Sequence, residues 1–214
     1  MSSWLYSDKV KAHFMDPKNI MFDDEGFEYD AVGTTGNIKC GDEMTFYLKI
    51  DPETLTVTDC RWKTFGCASA IASTSVLSEM IKGMKLDDAY SISNVDIMKE
   101  LGGLPENKVH CSVLGDKALQ KAIDNYYRSR GMDDRVHETE SRIICRCLNV
   151  SEEEIEHAVL EGARNYYQLQ EMTKVGTSCG QCEEEARERL AFYIEKHFGN
   201  DSKDSAQGRK LPGR

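Results

Sequence analysis

The sequence predicts an α+β fold in two parts: an antiparallel sheet packed by helices over residues 1–131, then a small helical metal-binding region over residues 142–198. Three observations carry this expectation. Met44, Phe46, Leu48 and Ile50 alternate with Thr45, Tyr47 and Lys49, the period of a strand buried on one face. Several other apolar sets recur at helical spacing. The last third of the chain holds two thiol clips, Cys145-Arg146-Cys147 and Cys179-Gly180-Gln181-Cys182, with 31 residues between them.

The elements follow in order. Leu5, Lys9, Ala12 and His13 have helical spacing, and Asp16-Pro17 ends that segment. Residues 20–38, with Gly26, Gly33, Gly36 and Asn37 between short apolar pieces, read as loop. The glycines of 32–36 lack the Gly-Lys-Ser/Thr of a phosphate loop. After the Met44–Ile50 strand, Asp51-Pro52-Glu53-Thr54 turns the chain. Leu55, Val57 and Asp59 then begin a second alternating stretch, giving a hairpin that Arg61–Phe65 either continues or ends. Ile71, Thr74, Leu77, Ser78 and Ile81 share a helical face behind Gly66-Cys67, and Gly83 stops that helix. One or two short helices span 86–101, and Gly102-Gly103-Leu104-Pro105 breaks them. Leu114, Ala118, Ala122 and Tyr126 mark a helix after His110-Cys111-Ser112.

Residues 132–141 are polar and read as a linker. In the second region Ser151-Glu152-Glu153-Glu154 is a capping box ahead of Ile155, Val159 and Leu160. A helix over 166–172 and a final helix from Glu183 to about Phe198 follow. Residues 199–214 read as a disordered tail.

Composition excludes several classes. The chain has 214 residues, 40% hydrophobic and 30% charged, which fits a soluble protein with a real core. A net charge of −10 argues against non-specific nucleic-acid binding and suits a basic protein partner. No apolar run reaches the length of a membrane span, and Met1-Ser2-Ser3-Trp4 begins no signal peptide. Eight cysteines without a secretory signal point to a reducing cytoplasm, where thiols serve as metal ligands more than as disulfides. No Ser-His-Asp order, paired carboxylates or cofactor lysine motif marks an enzyme.

Two candidate sites emerge. Cys145, Cys147, Cys179 and Cys182 suit tetrahedral zinc or an iron–sulfur cluster, against two disulfides or four unrelated buried thiols. In the first region Cys40, Cys67 and Cys111, with Asp42 and His110 nearby, each stand where a loop meets a strand or helix. They form either one shared site or three independent thiols. Unpaired N–H groups at a helix start would stabilise a thiolate at Cys67. A carboxylate exchanges on iron more readily than a thiolate, so Asp42 would make such a site labile. Cys60 sits in an alternating strand and reads as packing. His13, His157 and His197 read as packed or solvated, and the acidic runs 152–154 and 183–185 as helix first-turn charges.

Taken together, these residues are recognisable. Cys40-Gly41-Asp42, then 64–73 (Thr-Phe-Gly-Cys-Ala-Ser-Ala-Ile-Ala-Ser), then Gly102-Gly103-Leu104-Pro105 through His110-Cys111-Ser112 resemble the IscU iron–sulfur scaffold family, especially the amino-terminal domain of NifU. Residues 142–198 are similar to the central NifU domain and to the small [2Fe–2S] domain of bacterioferritin-associated ferredoxin, matching at Cys145, Cys147, Cys179 and Cys182. The resemblance implies an IscU/SufE-like first domain and a non-enzymatic scaffold. Cys40, Cys67 and Cys111 would assemble a transient [2Fe–2S] or [4Fe–4S] cluster, with Asp42 promoting release and His110 an alternative ligand. The four later cysteines would hold a permanent [2Fe–2S] cluster. It further implies sulfur delivered as persulfide by a cysteine desulfurase, recipient apoproteins, and a homodimer. Two departures stand out. NifU carries a third, carboxy-terminal domain with another C-x-x-C, and none follows Phe198, so that transfer site is expected to be absent. The family's chaperone-binding loop, Leu-Pro-Pro-Val-Lys, reads Leu104-Pro105-Glu106-Asn107-Lys108 here, which argues against recognition by the dedicated chaperone. The rival expectations are a ferredoxin-like electron-transfer or regulatory protein and a structural zinc protein.

Overall fold

A computed structural model describes residues 6–22, 26–37, 41–105, 108–137 and 142–199. The tail expected to be disordered lies, beyond Gly199, outside them. The chain divides into two compact units, residues 1–138 and 139–214.

The first unit is a three-stranded antiparallel meander, β1 (Ala31–Asn37), β2 (Asp42–Asp51) and β3 (Thr56–Phe65), with β2 central. Met44, Phe46, Leu48 and Ile50 are buried as their alternation requires. Their face is covered by α2 (Ala68–Met80) and α5 (Val109–Ser129), and α1 (Asp8–Met15), α3 (Leu86–Tyr90) and α4 (Asn94–Leu101) complete the layer. Helix α2 is sunk in this core: Ser69, Ser73, Thr74, Ser75 and Ser78 are buried along with Ala70 and Ala72. Its small side chains let neighbouring elements approach from several sides, so a single apolar face understated its burial. Residues 19–21 run along the free edge of β3, where Met21 N–H donates to Trp62 O at 2.9 Å and Trp62 N–H to Asn19 O at 3.2 Å. That cover removes an open strand edge.

Two expectations need correction. The segment 31–37, read as loop, is strand β1. Its glycines record close approach, not a turn: a Cβ on Gly33 would lie 2.2 Å from Ala122 N and 2.4 Å from Ala118 O of α5. In β3, the Leu55-Val57-Asp59 alternation does not continue. The register shifts opposite Lys49/Ile50, so after Val57 the inward residues are Cys60 and Trp62. Beyond this bulge Arg61–Phe65 continue the same strand.

Of the segment read as linker, Met132 to His137 lie against the first unit. Met132 and Val136 join its core, Arg135 meets Asp87 at 3.7 Å, and His137 stacks on Tyr90 with ring centroids 4.0 Å apart.

In the second unit, β4 (Ile143–Cys145) pairs with β5 (Val150–Ser151), and α6 (Glu152–Leu160), α7 (Tyr166–Thr173) and α8 (Glu183–Phe198) follow. Ser151 and Glu154 close the expected capping box on α6. Ile144, Val150, Ile155, Leu169, Val175 and Leu190 are buried together with Cys145 and Cys182. Glu152 ties α6 to α8, accepting from Tyr193 Oη at 3.0 Å and Arg189 at 3.3 Å. Among the described residues no helix is long and apolar enough to cross a membrane.

Candidate metal centres

In the first unit three element ends meet at Asp42. This residue opens β2, paired with Asn37 at the end of β1. Phe65 of β3 pairs with Glu43, so the start of α2 comes to the same end of the sheet. Cys67 is the N-cap of α2, and its backbone N–H donates to Asp42 Oδ2 at 3.4 Å. Helix α5 runs antiparallel to β1, because Asn125 donates to Val32 O while Ala118 and Ala122 cover Gly33. The first turn of α5 contains the backbone of His110 and Cys111. The side chains of His110 and Cys111, and the whole of Cys40, lie outside the described residues.

Beside Cys67, an apolar groove of about 400 Å³ is lined by Tyr6, Val10, Phe14, Met15 and Ala68, with Lys11 at its rim. Phe65, 78% exposed, stands at the same end. Cys60 is separate: it is fully buried, its thiol donates to Ser78 O at 3.3 Å, and burial pushes its pKa up to about 12.

In the second unit the clips face each other. Cys145 ends β4 and Cys147 lies in the turn before β5, while Cys179 and Cys182 occupy the loop between α7 and α8. The sulfurs form two pairs, each drawn from both clips. Cys147 and Cys179 are 3.3 Å apart and exposed. Cys145 and Cys182 are hydrogen-bonded to each other and buried. Backbone N–H groups aim at these sulfurs. The N–H of Gly176, with those of Leu148 and Cys147, lowers the Cys145 pKa against the effect of burial. The N–H of Gln181 lowers that of Cys179. The partner thiols move up, Cys147 through its bond to Cys179 and Cys182 through burial.

Sequence reasoning singled out the four cysteines and gave no role to Gly176, whose N–H serves both buried sulfurs. Gly176 has φ +72°, which the spacing of glycine before a C-x-x-C can suggest but not establish. Tyr166 was missed too. Its hydroxyl lies over Gly176, since a Cβ there would sit 2.1 Å from it.

Comparison with known proteins supplies the context. Residues 5–133 match the NifU-like N terminal domain family, and residues 143–191 match the BFD-like [2Fe-2S] binding domain. A nitrogen fixation protein NifU from Nostoc sp. is 44% identical over 185 residues, covering 84% of this chain and 61% of that protein. An iron–sulfur cluster assembly scaffold protein IscU from Aquifex aeolicus is 42% identical over 161 residues, covering 74% of this chain and 96% of that one. A crystal structure of a NifU-like amino-terminal domain from Brucella abortus aligns at TM-score 0.47 and 22% identity, over 58% of this chain and 95% of that one. The chain spans about three fifths of the length of the Nostoc relative.

The residues present fit the iron–sulfur cluster that the second family binds. Four thiols with N–H donors on their sulfurs are the donor set such clusters use. Among the described residues no three His, Cys, Asp or Glu groups converge as one ion's ligands.

Proposed function

Because this chain belongs to the NifU-like scaffold family, we propose that it builds a transient iron–sulfur cluster on its first unit and hands it to apoproteins. Cys40, Cys67 and Cys111 would hold the nascent [2Fe–2S] or [4Fe–4S] cluster, Asp42 would promote its release, and His110 would be an alternative ligand. The observation that carries this reading is that Asp42, at the start of β2, accepts the Cys67 N–H at the start of α2. A carboxylate beside thiolates gives a site that can exchange its contents. Sulfur would arrive as persulfide from a cysteine desulfurase, and Cys67 or Cys111 could accept it, because the backbone of each lies where a helix begins and a helix start stabilises a thiolate. The chain supplies the platform and the desulfurase the sulfur chemistry.

Cys145, Cys147, Cys179 and Cys182 would hold a permanent [2Fe–2S] cluster. When bound, that cluster supplies one-electron redox chemistry. This chain's residues would hold the sulfurs in two pairs, direct the Gly176, Leu148 and Gln181 N–H groups at them, and leave the Cys147/Cys179 edge open to solvent for electron exchange. The protein would act as a homodimer in the reducing cytoplasm.

The test is iron, zinc and acid-labile sulfide content with a visible spectrum, on protein purified without air. It is repeated after incubation with a desulfurase, cysteine and ferrous iron. A red protein with about two irons per chain that gains iron and sulfide on incubation is expected. The Cys40→Ser, Cys67→Ser, Cys111→Ser triple variant should stay red and gain nothing. Cluster transfer to an apoprotein that survives the triple change would sink the scaffold reading. A colourless, zinc-loaded protein would replace it with a structural-zinc one.

A further inference from the structure

We propose that Tyr166 is a positioning residue of the second unit's cluster site: its buried hydroxyl donates a hydrogen bond to the sulfur atoms gathered there and thereby raises the cluster's reduction potential. The inference rests on the reading that these four cysteines hold an iron–sulfur cluster.

Tyr166 is the first residue of α7, behind the N-cap Asn165. Its side chain turns inward, only 7% exposed, and the hydroxyl is buried with no hydrogen-bond partner among the described residues. A buried phenol usually finds an acceptor, and an unmatched one points to a group that the bare chain does not supply. The neighbours say which group. The hydroxyl lies over Gly176, so closely that a Cβ at this position would be 2.1 Å away. The Gly176 N–H is the donor shared by the two buried sulfurs, Cys145 and Cys182. Burial first, then Glu183, opposes ionisation of the phenol, so it remains a donor. Arg187 covers the ring at 4.1 Å and pairs with Glu183 at 2.8 Å, which holds the ring in place.

Cys145 and Cys182 are hydrogen-bonded to each other. A bound cluster would take the place of the thiol protons and offer sulfur lone pairs as acceptors to the phenol, which has none in the bare chain. Reduction adds negative charge to those sulfurs, so a donor aimed at them stabilises the reduced form. Glycine at 176 keeps both donors close. Any side chain there would push the phenol away, and φ +72° already disfavours one.

The test is a redox titration of the full chain as isolated, with Tyr166→Phe beside it. The variant removes one oxygen and keeps the packing. It should retain iron content and visible absorption while its preference for the reduced form falls about tenfold, 59 mV for a one-electron couple. A site-specific 3-fluorotyrosine at 166, a stronger donor, should move the potential the other way. Deuterium-sensitive iron–sulfur stretching bands in the resonance Raman spectrum should weaken in Tyr166→Phe. A Tyr166→Phe protein with a full cluster and an unchanged potential would overturn the proposal and leave the cluster reading standing. A wild-type chain with no iron–sulfur chromophore would overturn both. Should Tyr166→Phe lose its cluster, the fluorotyrosine protein decides: an unmoved potential there refutes the proposal.

Discussion

Among the described glycines of the first unit, Gly33→Ala should be the most damaging alanine substitution. The new Cβ would lie 2.2 Å from Ala122 N, 2.4 Å from Ala118 O and 2.8 Å from Ala122 Cα. Each distance is about 1 Å or more inside normal contact, and all three atoms are helix backbone, which cannot rotate aside. Helix α5 must therefore lift from β1 by about 1 Å. A gap of that size forfeits roughly a quarter to a half of the dispersion energy across the contact. Overpacking usually costs about 1–3 kcal/mol, and a clash with rigid backbone belongs at or above the top of that range. Against a typical domain stability of about 5–15 kcal/mol, ~3 kcal/mol is severe. The control is Gly36→Ala on the same strand, where the nearest atom is Asp42 O at 3.4 Å. Urea unfolding of each variant, followed through the fully buried Trp62 in a Trp4→Phe background, gives the comparison. At a slope of about 1–3 kcal/mol per molar urea, Gly33→Ala should lose roughly 1–3 M in midpoint and Gly36→Ala almost nothing. Equal midpoints would show that α5 does not press on the strand as described. Because α5 carries the backbone of His110 and Cys111, cluster assembly should fall with stability, while colour from the second unit persists.

Four further outcomes are expected. Cys60 has its pKa raised by burial to about 12, so below the unfolded thiol's value near 9 its contribution is intact. As pH rises from about 9 to 12 the unfolded state loses a proton that the folded state keeps, and stability falls by about 1.4 kcal/mol per unit. Cys60→Ala should lack this component, so its urea midpoint changes less than wild type between pH 8 and 10. Ser151→Ala removes the acceptor of the Glu154 N–H (3.2 Å) and should cost the second unit about 1 kcal/mol by circular dichroism melting. Asp42→Ala should lengthen the half-life of the first-unit cluster during transfer, read as the decay of its absorption on addition of an apoprotein. Cys179→Ser should abolish the second unit's cluster and leave residues 142–198 loosely folded by amide exchange, with the first unit unchanged.

The elements that were legible in the sequence are those whose burial is one-sided. Met44 to Ile50 alternate because one face of β2 meets helices, and Ser151/Glu154 announce α6 because a cap is local chemistry. What was hidden depends on distant partners. Gly33 resembles a loop glycine until α5, more than 80 residues later, presses on it. The Asp59 misreading came from a bulge, which moves every later side chain to the other face without a signature in composition. At the sites, the thiols were visible because C-x-C and C-x-x-C are rare by chance. Gly176 and Tyr166 were invisible because a backbone donor and a buried phenol carry no motif.

The difference between the two thiol sets follows from where each is anchored. Cys145 and Cys182 belong to the second unit's buried core, beside Ile144 and Val175. On the proposed assignment, their metal ties the two clips together in a unit of under 80 residues and supplies much of its folding energy, so metal loss and unfolding are the same event there. In the first unit, by contrast, the core is formed by β2, β3, α2 and α5 without any ligand: Phe46, Trp62 and Leu77 are fully buried. Cys67 is only packed against its edge, at the N-cap of α2. A cluster assembled there can leave while the fold that built it remains. The expected signature is in melting behaviour. Chelation should abolish the second unit's transition and leave the first unit's within a few degrees of its original position. A first unit that melted together with the second on chelation would refute this division between a resident centre and a removable one.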